Sequence, residues 1–129
     1  MRPTESREDY LETILLLNQE TGYVRSIDVA ERLGVTKPSV SRATSLLKEA
    51  RLLEMDPHDG ALTLTEAGQA LAEQVYERHR TLTRLLEKIG VSSETAAQDA
   101  CRIEHVLSEQ TFDKLKKHAE EYIAAQAGK

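Results

Sequence analysis

The chain has no tryptophan, one phenylalanine and four tyrosines, so aromatic side chains make up only 4% of its 129 residues. Base-stacking recognition of single-stranded nucleic acid needs more aromatic surface than that. A single cysteine, Cys101, excludes an internal disulfide framework and fits a reducing, cytoplasmic compartment. No apolar run approaches the roughly 18 residues of a membrane span, and no signal peptide is read at the start, so no membrane partner is expected. Catalytic frames are missing as well. There is no Gly-rich phosphate loop, no plausible Ser-His-Asp arrangement and no pair of Glu-x-x-His motifs of the kind that builds helical di-iron sites. The expectation is a non-enzyme without a small-molecule substrate.

The content that is present, 40% apolar with leucine prominent, suffices for one compact fold or two small ones sharing a core. A formal charge of −5 taken as a sum argues against a polyanionic partner, but its distribution argues for one. Between Val24 and Arg51, six cationic side chains face three acidic ones, a local excess of +3, whereas the first 23 residues carry −3. Phosphate attraction acts within a Debye length of roughly 8–10 Å, so the local patch outweighs the total.

Periodicity predicts a mainly α protein. A first helix, capped by Thr4 or Ser6, turns Tyr10, Leu11, Ile14, Leu15 and Leu17 inward and ends at Glu20-Thr21-Gly22. A short helix after Ser26 faces Ile27, Ala30 and Leu33 inward and stops at Gly34. Thr36 then caps a third helix with Pro38 in its first turn and Val40, Leu46 and Leu47 towards the core. Two helices joined by Leu-Gly-Val-Thr form a helix-turn-helix pattern. The β-prone runs Leu52–Met55 and Ala61–Leu64, separated by Asp-Pro-His-Asp-Gly, predict a hairpin or wing. From Thr65 a long helix carries the seam Leu71, Val75, His79, Leu82, Leu86 and Ile89. A helix capped by Ser92 or Ser93 follows, then a last one from about Ser108 past Tyr122 with a fraying tail at 125–129. The expected architecture is an N-terminal winged helix-turn-helix DNA-binding domain over 1–64 and a helical metal-binding and dimerisation domain over 65–129.

In such a module the third helix enters the major groove. Thr36, Ser39 and Arg42 would meet base edges, with Arg42 the candidate for bidentate pairing with guanine; Pro38 stands in the same first turn, and Lys37 and Lys48 would lie nearer phosphates. One module gives a small interface, so a homodimer reading two half-sites of double-stranded operator DNA is expected.

Cys101, Glu104 and His105 stand at i, i+3 and i+4, a spacing that brings thiol, carboxylate and imidazole to one face of a helix as a metal half-site. Ile103, Val106 and Leu107 would take the other face. Asp9 and Glu12, at i and i+3, lie opposite the apolar side of the first helix, and His79 interrupts an apolar stripe. A cation bridging the helices would account for all three observations. The bland alternatives are a buried Cys, a core His and ordinary exposed acids.

The strings Asp99-Ala-Cys101-Arg-Ile-Glu104-His105-Val-Leu-Ser, Asp9-Tyr-Leu-Glu12, Arg78-His79-Arg80 and Leu33-Gly-Val-x-x-Pro-Ser-Val resemble, in order, the signature of the diphtheria-toxin-repressor / manganese-transport-regulator family. The resemblance covers essentially the whole chain. It implies a homodimeric, metal-dependent transcriptional repressor, with Asp9, Glu12, His79, Cys101, Glu104 and His105 as metal ligands by matched position. The family's iron branch usually has methionine where Asp9 stands and carries an SH3-like domain not read in these 129 residues; it also builds an ancillary site from a glutamate and a histidine where this chain has Thr83 and Ala97, so that site is not expected to be built in the same way. The manganese branch usually has a carboxylate where Cys101 stands. Hard oxygen donors favour Mn²⁺ and a thiolate favours Fe²⁺, so the resemblance points to a divalent ion with Mn²⁺ slightly ahead. A rival reading is a metal-independent winged-helix regulator switched by a small ligand or by oxidation of Cys101.

Overall fold

The computed structural model describes residues 3–127, and among them it has six helices and one two-stranded antiparallel sheet. They fall into two compact units, divided after Gln74.

In the first unit, α1 (Pro3–Thr21) is the central element. Tyr10, Leu11, Ile14, Leu15 and Leu17 are all buried, as the periodicity predicts. The helix already begins at Pro3, upstream of the Thr4 and Ser6 expected as caps; proline is tolerated there because a first-turn N–H has no intrahelical acceptor. Arg32 of α2 (Ser26–Leu33) reaches Glu20 with two hydrogen bonds of 2.9 Å and ties the two helices together. The pairing holds the Glu20 carboxyl below its ordinary value.

Gly34 adopts a left-handed conformation, φ 68°, which lets the Val35 N–H return to the Ala30 carbonyl at 3.1 Å and close α2. Two residues later α3 (Lys37–Glu49) starts, with Thr36 Oγ1 accepting from the Ser39 N–H. This is the expected helix-turn-helix. Two inward assignments fail, however: Leu46 is 62% exposed and Ile27 45% exposed, and Val29 and Thr44 take the buried positions. Both misplaced residues sit at the margin of an apolar arc, where a spacing of about 100° per residue does not separate inside from outside.

Arg51 ends α3 in the left-handed region, φ 60°, and the Leu52 N–H bonds back to the Leu47 carbonyl at 2.9 Å. The chain then enters β1 (Leu53–Met55), paired with β2 (Leu62–Leu64) in the register Leu53–Leu64, Glu54–Thr63 and Met55–Leu62. The Leu62 N–H also donates to the Val24 carbonyl at 2.7 Å, so the segment after α1 extends the hairpin's pairing. Thr65 and the first turns of α4 (Glu66–Lys88) complete this unit.

The second unit contains the rest of α4, α5 (Ser93–Ile103) and α6 (Glu109–Ala127). Val75, Leu82, Ala96, Ala100, Phe112 and Ala119 are its buried apolar residues. Along the predicted seam, Leu71, His79 and Leu86 are half-buried, while Ile89 is 66% exposed. Ser92, rather than Ser93, caps α5, and its hydroxyl accepts from the Thr95 N–H. α6 remains helical to Ala127, so the expected fraying does not begin at 125; Gly128 and Lys129 lie outside the described residues. No helix among the described residues is long and apolar enough to cross a membrane.

Candidate metal centre and nucleic-acid interface

The second unit concentrates its chemistry at the end of α5. That helix stops at Ile103; the Glu104 N–H still bonds to the Ala100 carbonyl, but the two amides after it bond three residues back, His105 N–H to the Arg102 carbonyl and Val106 N–H to the Ile103 carbonyl. Cys101, Glu104 and His105 therefore do not share one continuous α-helical face. The expected apolar side does not hold either, because Val106 is 60% exposed and Ile103 and Leu107 are only half-buried. The tightened backbone still makes the three groups converge. Cys101 Sγ, a Glu104 oxygen and a His105 ring nitrogen lie within 4.8 Å of one another.

Glu104 is the centre of this cluster and is 1% exposed, not the solvated helix residue that its type suggests. His79 Nδ1 of α4 lies 3.0 Å from its Oε2, and His105 Nε2 stands 3.4 Å from its Oε1. The second contact lacks hydrogen-bond alignment, and Oε1 is buried without a hydrogen-bond partner. An isolated buried carboxylate oxygen carries a desolvation cost that a cation would offset. The exposed Cys101 thiol and the His105 imidazole gather at Glu104 in one group, and His79 meets the other Glu104 oxygen, so the carboxylate stands between two sets of donors suited to divalent transition ions. On that test the residues present fit a metal.

Arg78 holds the turn that carries these ligands, a role sequence reading does not assign to it. Its Nη1 donates to the carbonyls of Glu104 at 3.1 Å and Leu107 at 3.0 Å, and its guanidinium lies 5.1 Å from the Phe112 ring centroid. One cation thus satisfies two carbonyls that the end of α5 leaves without helical partners. Nothing in the spacing marks Arg78; its partners are 26 and 29 residues away. Replacing Arg78 by methionine is expected to destabilise the protein by about 2 kcal/mol, the cost of leaving such acceptors unpaired, as measured by urea denaturation. Wild-type stability in that variant would remove Arg78 from this role.

Thr83, at a position where no ancillary site is expected, donates its hydroxyl to the His79 carbonyl at 2.7 Å. Within the first unit, Asp9 and Glu12 stand one turn apart on α1, both partly buried.

The outward face of α3 forms a second site. Lys37, Pro38, Arg42 and Lys48 are exposed and Ser39 is half-buried. The Thr36 hydroxyl donates to Ser39 Oγ at 3.0 Å, and Arg42 Nη2 donates to the same oxygen at 3.3 Å, so the first turn arrives with its polar groups oriented. Burial raises the Tyr10 phenol above its ordinary value, against the opposing charge of Arg42. Near the hairpin, burial and the neighbouring Asp59 raise the Tyr23 phenol above its ordinary value. Ala61 and Tyr23 as donors hold the Asp59 carboxyl below the usual range.

Comparison with known proteins assigns each half of the chain. A family model described as iron dependent repressor, N-terminal DNA binding domain, matches residues 3–61, and one described as iron dependent repressor, metal binding and dimerisation domain, matches residues 65–122. The transcriptional regulator MntR of Escherichia coli O6:H1 is 40% identical over 109 residues, 84% of this chain and 70% of that protein. The chain belongs to the diphtheria-toxin-repressor / manganese-transport-regulator family. Among solved structures of similar fold, the manganese regulator SloR superposes with a TM-score of 0.78 at 27% identity, over 93% of this chain and 55% of that one. A manganese-dependent transcriptional repressor in complex with manganese also gives 0.78 at 27% identity, over 88% of this chain and 52% of that one. The chain therefore spans about half the length of these two solved relatives. Both MntR and SloR are named as regulators.

Proposed function

We propose that this protein is a metal-dependent transcriptional repressor in which a divalent ion, Mn²⁺ ahead of Fe²⁺, licenses a homodimer to hold operator DNA and so governs metal-ion homeostasis. The observation that carries the metal half is Glu104, a buried carboxylate with one oxygen lacking a hydrogen bond and two imidazoles beside it. His79, Cys101, Glu104 and His105 are proposed ligands, and Asp9 and Glu12 are proposed to complete the set by family resemblance. A bound divalent cation would supply the positive charge that these anionic and lone-pair donors need. Glu104 and its neighbours hold that position in a site whose turn is fixed by Arg78. Three carboxylates against one thiolate put the preference on the hard side, which is the reason for placing manganese first.

The DNA half rests on α3. Thr36, Lys37, Pro38, Ser39, Arg42 and Lys48 are proposed to face the duplex, with Arg42 oriented by Ser39 for a base edge and the lysines for phosphates. Ile89 and Val106, each at least 60% exposed in the unit matched to a metal-binding and dimerisation domain, are proposed to be covered by a second copy. Family membership favours this reading over a metal-independent switch acting through Cys101.

The test is a selection from a random duplex pool, followed by anaerobic binding titrations with Mn²⁺, Fe²⁺, Zn²⁺ and Co²⁺. Retention of a selected duplex that a divalent ion strengthens at least tenfold, reversed by chelator, is expected. Binding that is indifferent to chelator but abolished by peroxide would replace this function with the oxidation switch.

A further inference from the structure

We propose that Leu46 reads thymine: its side chain takes the C5-methyl group of a thymine in the major groove, about two base pairs from the one met by Arg42. This rests on the DNA-binding function proposed above and adds a specificity determinant to it. Leu46 is 62% exposed on α3, among Arg42, Ser45 and Glu49, while Val40, Thr44 and Leu47 of the same helix are buried. Its exposure is therefore a property of its position on the helix and not of a loosely packed core.

Ser39, Arg42 and Leu46 follow one another at i, i+3 and i+7, so they form a strip spanning about 60° of the helix surface. The polar end of that strip is oriented, because Arg42 donates to Ser39 Oγ and Thr36 donates to the same oxygen. Arg42 can match the acceptors of guanine. Leucine has no hydrogen-bonding group, and among the four bases only thymine offers a methyl group to the major groove. Lys37, Arg42 and Lys48 outnumber the one acid of this helix, Glu49, and this net positive charge disfavours a second, equally charged copy as the partner of Leu46 and favours a polyanion.

The spacing also sets a register. Four residues of helix advance about 6 Å along the axis, close to two base-pair steps of about 3.4 Å. With the strip along the groove, the thymine belongs about two base pairs from the guanine that Arg42 contacts.

The test compares wild type and Leu46→Ala, both saturated with Mn²⁺, on the selected duplex and on copies in which each thymine in turn is replaced by deoxyuridine. That replacement removes only the methyl group. One position per half-site is expected to weaken wild-type binding about three- to tenfold, and Leu46→Ala should show the same loss on the parent duplex without responding to deoxyuridine there. Random-pool selection with Leu46→Ala should lose the thymine preference at that position alone, and its thermal midpoint should match wild type.

Equal sensitivity of both proteins at every thymine, or wild-type selection without an enriched thymine near the guanine, overturns the proposal and leaves DNA binding intact. A change in sedimentation with no change in DNA affinity also overturns it and makes a second copy the occupant. Wild-type protein that retains no duplex with any of the metals overturns the DNA-binding function itself.

Discussion

Exchanging Glu104 for glutamine is expected to lower Mn²⁺ affinity by roughly two orders of magnitude or more without lowering the stability of the metal-free protein. The two effects separate because they have different origins. Glu104 is almost fully buried with one oxygen lacking a hydrogen bond, and a neutral amide of the same shape costs less to bury than a carboxylate that no cation neutralises. With metal, the same charge is the attraction. Wild-type protein at one hundred times its Kd should gain about 2.7 kcal/mol, a rise of about 10 °C in melting midpoint for a chain of this size. Glu104→Gln should show almost none of that rise. Isothermal titration calorimetry and melting curves in Mn²⁺ and in chelator measure both quantities. A variant that keeps the full metal-dependent rise would remove Glu104 from the ligand set, whereas a lowered metal-free midpoint would assign it a structural role.

The second large effect is expected at Gly68. Glycine inside a helix is ordinarily a weak point, and replacing it with alanine stabilises by about 0.5–1 kcal/mol. At Gly68 the sign should reverse. A Cβ there would overlap the carbonyl oxygen of Leu52 and lie 2.9 Å from its carbon. Neither partner can step aside. The Leu52 carbonyl accepts from the Thr65 N–H at 3.1 Å, while Thr65 Oγ1 accepts from the Gly68 N–H and donates to the Arg51 carbonyl at 2.8 Å. Gly68→Ala is expected to destabilise the protein by about 3 kcal/mol or more, a large fraction of a typical domain's stability. Chemical denaturation decides the matter: a variant at or above wild-type stability would mean that the first turn of α4 relaxes away from Leu52.

How much of this could be read from the sequence differs by element for identifiable reasons. The five buried positions of α1, the left-handed stop at Gly34 and the Thr36 cap were legible because each depends on local periodicity or on one residue's backbone preference. The strands were legible because the turn residues between them are explicit. Leu46 and Ile27 were misplaced because apolar spacing marks an arc but not its edge. The end of α5 was not visible, since no glycine or proline follows Ile103 to mark it. The proximity of Cys101, Glu104 and His105 was legible all the same, because the tighter turn and a continuing helix both keep residues three and four apart close together. The burial of Glu104 and the role of Arg78 depend on contacts more than 20 residues apart, which spacing does not encode.

The hairpin tip limits how this protein could evolve tighter binding to a polyanion. Its residues 54–60 hold three acids and no lysine or arginine. Two of those acids are struts: Asp56 Oδ1 accepts from the His58 and Asp59 amides, and Asp59 Oδ1 accepts from the Ala61 amide. Swapping either for a basic residue would gain charge and lose the shape of the loop at once. Glu54 and His58, both exposed, are the positions where the charge of the tip can drift without that conflict.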